Sequence, residues 1–371
     1  MRPRHVYVHV PFCARRCSYC DFAIAVRRVV PSAAFANAVS RELDLRFPRT
    51  VAPWLADTLY LGGGTPSRLG GDGVARLIGL LRERVALEAG AEVTIEANPE
   101  DVTLEAARAW RQAGVTRVSL GAQSFDDRVL AWMHRVHDAN ATRRAVAVLR
   151  DAGFGELSLD LIFAVPAHLE RDWPRDLDEV LALAPDHLSL YGLTIEPNTP
   201  LGRWAARDEV REAPEEHYAA QFLRAHDTMT AAGFTHYEVS NFGRGDARGR
   251  HNSAYWQGVP YVGLGPSAHE FDGTARRWNT SAYSAWMAAV EAATDPLAGR
   301  EELSATESRT EAVYLGLRTV AGLLLAPHEW AVAEPWMSAG WAERVGDRLA
   351  LTPPGWLRMD GIALTLLGSR L

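Results

Sequence analysis

The chain has 371 residues, of which 47% are apolar and 23% are charged, and its formal net charge at pH 7 is −7. That composition supplies a sizeable core and excludes global disorder, and the negative charge argues against a general nucleic-acid-binding protein. All 39 basic residues are arginine, which excludes a Schiff-base lysine, a pyridoxal-type anchor and a Walker lysine.

The chain starts with a strand pattern at residues 6–10 and lacks the basic-then-apolar layout of a signal peptide. The longest apolar runs, such as residues 320–326, are far shorter than the roughly 20 residues that cross a bilayer. We therefore expect a soluble, cytoplasmic protein.

Strand and helix patterns alternate through the first 200 residues. Six strands are predicted, at residues 6–10, 58–61, 92–97, 117–120, 157–162 and 187–191. The helix predicted over residues 32–46 has Ser32 as its N-cap. This alternation predicts an α/β fold with right-handed crossovers and a parallel sheet, closed into a partial (β/α)6 TIM-like barrel.

Polar and glycine-rich segments follow the first four predicted strands, and a functional site is expected at that edge of the sheet. After residue 191 the strict alternation ends. We predict a barrel domain at residues 1–200, a flanking layer at residues 201–300, and a small winged-helix-like domain at residues 301–371. The last unit has a helix at residues 307–320 and a hairpin at residues 344–352.

All three cysteines of the chain, Cys13, Cys17 and Cys20, lie within eight residues. An odd, clustered set is a poor disulfide framework. Three thiolates on one loop suit zinc or an iron–sulfur cluster. Zinc would need a fourth ligand such as His9 or Asp21, whereas a cubane cluster leaves one iron open to a ligand from outside the protein.

Two further features follow predicted strands. Residues 62–67 read Gly-Gly-Gly-Thr-Pro-Ser, and such a loop lets a backbone approach a ligand closely, although an ordinary strand-to-helix turn is the alternative. Glu96 and Gln123 stand at strand ends, where acidic residues commonly accept hydrogen bonds from ribose hydroxyls. A capping or loop role is the alternative for both.

The Cys-x3-Cys-x2-Cys spacing after a first strand resembles the radical S-adenosylmethionine (SAM) superfamily. The flanking segments, Tyr-Val-His-Val-Pro-Phe-Cys at residues 7–13 and Cys-Ser-Tyr-Cys-Asp-Phe at residues 17–22, resemble the oxygen-independent coproporphyrinogen III oxidase family, in particular its haem-chaperone branch. The resemblance covers residues 4–365 and implies the radical SAM barrel with a C-terminal extension.

The resemblance implies that Cys13, Cys17 and Cys20 hold a 4Fe–4S cluster, with SAM chelating its fourth iron. The residues that match SAM contacts of the family are Tyr7, Tyr19, Gly63, Gly64, Thr65, Glu96, Gln123, Arg135 and Asp160. Two segments depart from the family pattern. Residues 164–168 read Ala-Val-Pro-Ala-His in place of Gly-Leu-Pro-x-Gln, and residues 134–137 read His-Arg-Val-His in place of Gly-Arg-x-His.

Two positions favour the chaperone branch over the oxidases. True oxidases of the family carry another cysteine two residues after the third, and here that residue is Phe22, which cannot ligate iron or relay a radical. The chaperone branch also has a His-Asn-x-x-Tyr-Trp motif, present here as His251, Asn252, Tyr255 and Trp256.

The motif predicts haem contacts. A neutral imidazole is a good axial iron ligand, and aromatic rings give a macrocycle flat contacts. Nearby arginines that could meet the propionates are Arg244, Arg248 and Arg250. The alternative is a satisfied loop histidine beside two core aromatics. We expect the motif to lie in the flanking layer, away from the SAM-binding loops.

The leading hypothesis is a haem chaperone that carries a SAM-ligated 4Fe–4S cluster, with no catalytic residue assigned. The competing hypotheses are radical decarboxylation of coproporphyrinogen III and a zinc-stabilised α/β protein. The implied partners are haem, haem-accepting proteins that include membrane respiratory components, and a small electron donor such as a flavodoxin or ferredoxin. No nucleic-acid partner is expected.

Overall fold

A computed structural model describes residues 2–48 and 54–369. In these residues the strands are β1 (His5–Val10), β2 (Phe12–Cys13), β3 (Ala25–Val26), β4 (Trp54–Gly63), β5 (Val85–Ala97), β6 (Arg117–Gln123), β7 (Glu156–Phe163), β8 (His187–Gly192), β9 (Thr235–Glu238), β10 (Asn241–Gly243), β11 (Tyr261–Leu264), β12 (His269–Phe271), β13 (Ala275–Asn279), β14 (Leu297–Glu302), β15 (Leu323–Leu324), β16 (Ala342–Val345) and β17 (Arg348–Leu351). The helices are α1 (Ser32–Arg46), α2 (Gly70–Arg82), α3 (Leu104–Ala113), α4 (Asp127–Trp132), α5 (Ala139–Asp151), α6 (Trp173–Ala182), α7 (Pro200–Ala205), α8 (Glu215–Ala231), α9 (Arg250–Trp256), α10 (Tyr283–Glu291), α11 (Ala305–Leu317), α12 (Trp330–Ser338), α13 (Pro353–Trp356) and α14 (Met359–Ser369).

Strands from the whole length of the chain form one large sheet, in the order β14-β13-β12-β11-β1-β4-β5-β6-β7-β8-β10-β9. The six predicted strands are β1 and β4 to β8, which are parallel and adjacent in chain order. The predicted parallel (β/α)6 arrangement is therefore confirmed.

A seventh parallel strand, β11, pairs with the outer edge of β1. The sequence analysis missed it, because four residues between Pro260 and Gly265 are too short a run to show a period. Strands β12, β13 and β14 continue the sheet beyond β11 in antiparallel pairs.

Helix α1 has the predicted bounds but a different start. Its N-cap is Pro31, without a side-chain cap, and Ser32 is the first helical residue. The Ser32 hydroxyl instead donates to the carbonyl oxygen of Leu69, at 3.1 Å. The N-cap prediction for Ser32 was wrong, because the hydroxyl has a tertiary partner at the start of α2.

The fully buried carboxylate of Glu42 on α1 fixes the β11 edge of the sheet. It accepts hydrogen bonds from the backbone N–H of Gly265 (2.8 Å), Nδ2 of Asn279 (2.7 Å) and Nε1 of Trp286 (2.9 Å), and it pairs with Arg46. Removing this carboxylate would leave several buried donors unsatisfied, at about 1–3 kcal/mol each.

The C-terminal unit begins with α11 and contains a three-stranded antiparallel sheet in the order β15-β17-β16. The predicted hairpin is present as β16 and β17, with ends that differ by one to two residues, and the predicted helix is present as α11, with ends that differ by two to three residues. One cluster of buried apolar residues extends from Val6 in β1 to Leu366 in α14. The division at residues 200 and 300 stays a prediction.

Across the described ranges, no helix is both long and apolar enough to cross a bilayer.

Candidate functional site

A cavity of about 320 Å³ opens at the C-terminal ends of the parallel strands. Eleven of the twelve residues predicted for the cluster and SAM line it, namely Cys13, Cys17, Cys20, Tyr19, Gly63, Gly64, Thr65, Glu96, Gln123, Arg135 and Asp160. Tyr7 is the exception. Its hydroxyl lies 3.0 Å from Nδ1 of His9, and its ring stacks against Tyr60.

The cysteine loop leaves β1 and folds over one side of the cavity. Cys13 is buried, and Cys17 and Cys20 are partly exposed. Oγ1 of Thr65 lies 3.4 Å from Sγ of Cys13, and Nη1 of Arg135 lies 3.6 Å from Sγ of Cys17. A hydroxyl and a guanidinium in these positions favour thiolate sulfur.

The three thiols line one cavity. In the part of the chain that the structure describes, no three or more His, Cys, Asp or Glu side chains converge as a candidate metal-ion site. Burial raises the pKa of the Cys13 thiol, and it raises that of Cys20 to about 11. Metal binding must therefore displace protons from these groups. Three thiols around one cavity suit a cubane cluster with one iron left open.

The glycine loop packs tightly against the cysteine loop. Gly63 has φ +111°, and a Cβ there would lie 2.6 Å from the His9 ring; a Cβ at Gly64 would lie 2.7 Å from the backbone of Pro11. Only glycine allows this approach. The N–H of Gly63 donates to Oε2 of Glu96, at 2.9 Å.

Two buried carboxylates line the strand ends. Glu96 accepts a second hydrogen bond from the Tyr60 hydroxyl at 2.9 Å, and Asp160 accepts from Oγ of Ser119 at 2.9 Å. Burial raises the pKa of both carboxyls, that of Glu96 to about 7. Each keeps lone pairs for a further donor, which suits ribose hydroxyls.

Arg135 is held between three strands' loops. Its Nη2 donates to Oδ1 of Asn98 (2.5 Å) and to the carbonyl oxygen of Gly121 (3.0 Å). Its Nε is buried and has no hydrogen-bond partner among the described residues. Such an orphaned donor fits a ligand carboxylate in the cavity.

The two departures from the family pattern coincide with strained backbone. His134 has φ 59° and Ala164 has φ 56°, both where the family has glycine, and Gln123 has φ 64°. These positions keep the left-handed conformation although they lack glycine, the residue that adopts it freely. His134 and Gln123 both line the cavity.

Further residues line the cavity: Asn98 and Glu100 belong to a polar segment expected at this edge, whereas Ser119, Tyr191 and Thr194 were missed by the sequence analysis. All stand on or just after the parallel strands, so strand ends indicated their place but not their role. Phe22, which was predicted to distinguish the two branches, lines the cavity and is 58% exposed.

His251 lies inside the barrel and is 1% exposed. Its Nδ1 is 2.7 Å from Oγ1 of Thr58, and its Nε2 is 2.8 Å from the hydroxyl of Tyr255. Its ring stacks on that of Tyr60, with centroids 5.0 Å apart. Burial lowers the pKa of His251 to about 3, so the ring is neutral. Both nitrogens are engaged, as in a satisfied buried histidine.

A carboxylate that the sequence analysis missed positions this helix. Glu92 on β5 is buried and accepts hydrogen bonds from the backbone N–H groups of Arg250 (2.8 Å) and His251 (3.0 Å). It therefore supplies the negative charge that stabilises a helix N-terminus. No signal in the sequence joins a strand residue to a motif more than 150 positions later.

The structure divides the predicted haem motif. His251 and Tyr255, one helical turn apart, contact each other toward the strands, whereas Trp256 lines a cleft on the opposite side of α9. Asn252 is half-buried between them. These side chains leave the helix in different directions, and the prediction that His251, Tyr255 and Trp256 contact haem stays a prediction.

The motif is also closer to the SAM residues than predicted. The ring of His251 stacks on Tyr60, whose hydroxyl donates to Glu96 in the cavity wall. The motif and the cavity lining share no residue, but Tyr60 contacts both His251 and Glu96.

Comparison with known proteins agrees with this geometry. A model of the radical SAM superfamily matches residues 7–180. The chain is 39% identical to the heme chaperone HemW of Mycobacterium tuberculosis, over 99% of this chain and 95% of the relative, and 30% identical to that of Bacillus subtilis, over 86% and 84%. Coproporphyrinogen III oxidase (HemN) from Escherichia coli has a TM-score of 0.82 over 98% of this chain and 90% of that chain, at 23% identity, a likeness of fold alone.

The fold, the three-cysteine loop and the matched model define a radical SAM protein. The sequence identity to the heme chaperones, which extends over most of the chain, assigns the protein to a narrower family within this class. The chain belongs to the heme chaperone HemW family.

Proposed function

We propose that this protein binds haem and transfers it to haem-accepting proteins, with a SAM-ligated 4Fe–4S cluster as its resident cofactor. The observation that carries the proposal is the 39% identity, over 99% of the chain, to a protein named a heme chaperone. Phe22 at the position of the oxidases' additional cysteine supports it.

The cavity residues fit the cofactors in separate roles. Cys13, Cys17 and Cys20 hold the cluster, and the unpartnered Nε of Arg135 receives the SAM carboxylate. The backbone at residues 63–65 would hold the amino group and the Tyr19 ring the adenine, and Glu96, Gln123 and Asp160 would accept hydrogen bonds from the ribose; all of these residues line the cavity. When bound and reduced, such a cluster supplies an electron for cleavage of SAM.

The competing function is oxidation of coproporphyrinogen III. The fold likeness to the oxidase favours it only at the level of architecture. Phe22 is an apolar side chain at the mouth of the cavity. It can neither bind iron nor carry a radical, so we expect no oxidase turnover.

Exposed arginines near the cysteines support the proposed electron donor. Arg16, Arg27 and Arg28 are exposed on the segment of residues 16–28, which also contributes Phe22 to the cavity lining. A basic rim suits an acidic electron carrier, such as a flavodoxin or ferredoxin, and steers its encounter. Haem acceptors include membrane respiratory components in this proposal, and the reducing cytoplasm is the compartment that keeps such cysteines free of disulfides.

The test is anaerobic reconstitution with iron and sulfide, followed by three measurements on one sample. We expect a SAM-responsive paramagnetic signal, stoichiometric binding of haemin with transfer to an apo-haemoprotein, and no protoporphyrinogen from coproporphyrinogen III. Oxidase turnover at about 1 per second or faster would favour the coproporphyrinogen III oxidase function over the chaperone function. Haemin binding no tighter than to serum albumin would overturn the chaperone proposal.

A further inference from the structure

A second cavity, the α9 cleft, lies on the side of α9 that faces away from the parallel strands. It has a volume of about 610 Å³ and is bounded by the end of α9, strand β12, helix α11 and strands β15 and β17. This is nearly twice the volume of the SAM cavity and lies within the range of about 300–1,000 Å³ for small-molecule sites.

The walls of the α9 cleft are apolar and aromatic. Trp256 and Phe271 contribute rings, and Leu315, Val320 and Leu324 contribute aliphatic surface. Val320 is 36% exposed and Leu324 is 52% exposed, and both belong to the same cleft wall, where exposed apolar residues form a patch rather than single surface residues. A long, flat apolar ligand would cover them.

Trp256 contributes a hydrogen-bond donor without an acceptor to this wall. The guanidinium of Arg318 covers one face of its ring at 4.3 Å. Its Nε1 is buried and has no hydrogen-bond partner in the described ranges. A buried donor without an acceptor is uncommon and fits a site whose ligand carries one.

Two arginines stand at the rim of the α9 cleft. Arg248 and Arg348 are both exposed, and neither forms an ion pair with a carboxylate in the residues that the structure describes. Nη1 of Arg348 donates to the carbonyl oxygen of Gly322 at 2.8 Å, and Gly322 also belongs to the lining. The single acidic residue of the lining, Glu311, is paired with Arg276.

We propose that the α9 cleft is where haem binds, a proposal that rests on the proposed chaperone function. The macrocycle lies against Trp256 and the leucines of α11 and β15. The propionates meet Arg248 and Arg348. Flat apolar surface in the middle and two arginines without a carboxylate partner at the edge match a dianionic porphyrin.

The lining of the α9 cleft lacks an iron ligand. Within the described residues it contains no His, Cys or Met, and the hydroxyl of Tyr237 is already bonded to His187 and to the N–H of Gly249. The site therefore recognises the porphyrin rather than the metal. An acceptor's histidine can approach an open axial position, which suits a protein that must release its cargo.

The first experiment fills the α9 cleft. Ala312 on α11 is exposed and lines it, whereas Ala305 on the same helix is exposed and does not. In the reconstituted full-length protein we expect Ala312→Trp to weaken haemin binding at least twenty-fold, and Ala305→Trp to leave it within two-fold of wild type. Iron and sulfide content should be unchanged in both.

The second experiment tests the rim charges and the open iron. The double variant Arg248→Glu, Arg348→Glu should weaken haemin binding about ten-fold, while Arg344→Glu, an exposed arginine of the same hairpin that is outside the lining, should not. Metal-free protoporphyrin should bind wild type within about three-fold of haemin. Protoporphyrin dimethyl ester should bind about as weakly as protoporphyrin binds the double variant.

The outcomes separate the two proposals. If wild type binds haemin specifically but Ala312→Trp matches it, the α9 cleft is excluded and the chaperone function stands. If metal-free protoporphyrin fails to bind and His251→Ala loses haemin, iron ligation by His251 replaces the cleft. If wild type binds haemin only nonspecifically, both proposals are overturned.

Discussion

The cavity at the strand ends, which is proposed to bind SAM, has a volume of about 320 Å³ and is lined by carboxylates, an arginine and glycine backbone. The α9 cleft is nearly twice as large, and its walls are formed by leucine, valine and aromatic side chains. Around the cavity, Gln123 and His134 keep left-handed backbone, whereas the positive φ angles described in the cleft lining belong to glycines. Left-handed backbone at non-glycine residues therefore lies in the lining of the cavity and, in the described residues, not in that of the cleft.

The difference indicates two kinds of binding in one chain. A resident cofactor gains from groups fixed in advance, since little freedom remains to be lost on binding. A transferred cargo must leave again, and apolar contact with two exposed charges has no single strong bond to break. The predictions below test whether the two regions work independently.

The largest expected effect is loss of the cluster. Cys17→Ala should abolish the brown chromophore, because three thiolates are the fewest that keep a cubane in place. Ser18→Ala, in the same loop but with no thiolate, is the matched control. Iron and labile sulfide are measured beside haemin titration, and a parallel loss of haemin binding would show that the two regions are not independent.

Removing His251 should affect stability and leave haem affinity nearly unchanged. His251→Ala deletes a buried ring with two hydrogen bonds, and we expect the free energy of unfolding to fall by about 3 kcal/mol. Haemin affinity should stay within about two-fold, with the exposed His269→Ala as control. Loss of haemin binding without loss of stability would contradict the buried structural role.

Glu96→Gln should weaken SAM binding by roughly ten- to a hundred-fold, because hydrogen bonds to a charged acceptor contribute about 1.5–3 kcal/mol. Glu88→Gln on the same strand, outside the cavity, should change nothing. SAM titration of the reduced protein by paramagnetic resonance measures both. Equal affinity of the two variants would remove Glu96 from the site.

SAM affinity should also depend on pH. The raised pKa of Glu96, about 7, means that the carboxylate is the main form above pH 7 and the neutral acid the main form below it. The acceptor is therefore lost as pH falls, and we expect roughly ten-fold weaker binding at pH 6 than at pH 8. The SAM affinity of Glu96→Gln should not change in this way with pH. If its affinity depends on pH more steeply than that of wild type, another group is responsible for the titration.

The smallest effect concerns the strained backbone. Ala164→Gly should raise the free energy of unfolding by about 0.5–1 kcal/mol, because relief of the left-handed conformation exceeds the entropy cost of glycine. Ala147→Gly, inside α5, should lower it by a similar amount. Denaturant titration measures the free energy of unfolding of both variants, provided that its slopes against denaturant concentration are equal. A lower free energy of unfolding for Ala164→Gly would show that the backbone at Ala164 is not strained.

Local pattern predicted the parallel strands of the barrel well, because each of the six strands and the cysteine loop depends on a run of a few residues. The residues assigned to the cluster and SAM came from the family resemblance, and eleven of those twelve line the cavity. The failures depend on distant pairs. The capping of α9 by Glu92, the burial of His251 under Tyr60 and the short strand β11 arise only when remote segments meet.

Strand β11 sets a condition on how this molecule can be made. It covers an edge of β1, the strand that leads into the cysteine loop, and its residues come more than 250 positions later in the chain. Until they have left the ribosome, that edge carries unpaired backbone groups and can template association with another chain. A fragment that ends near residue 200 would contain every cysteine and most of the cavity, yet it should aggregate rather than accept a cluster.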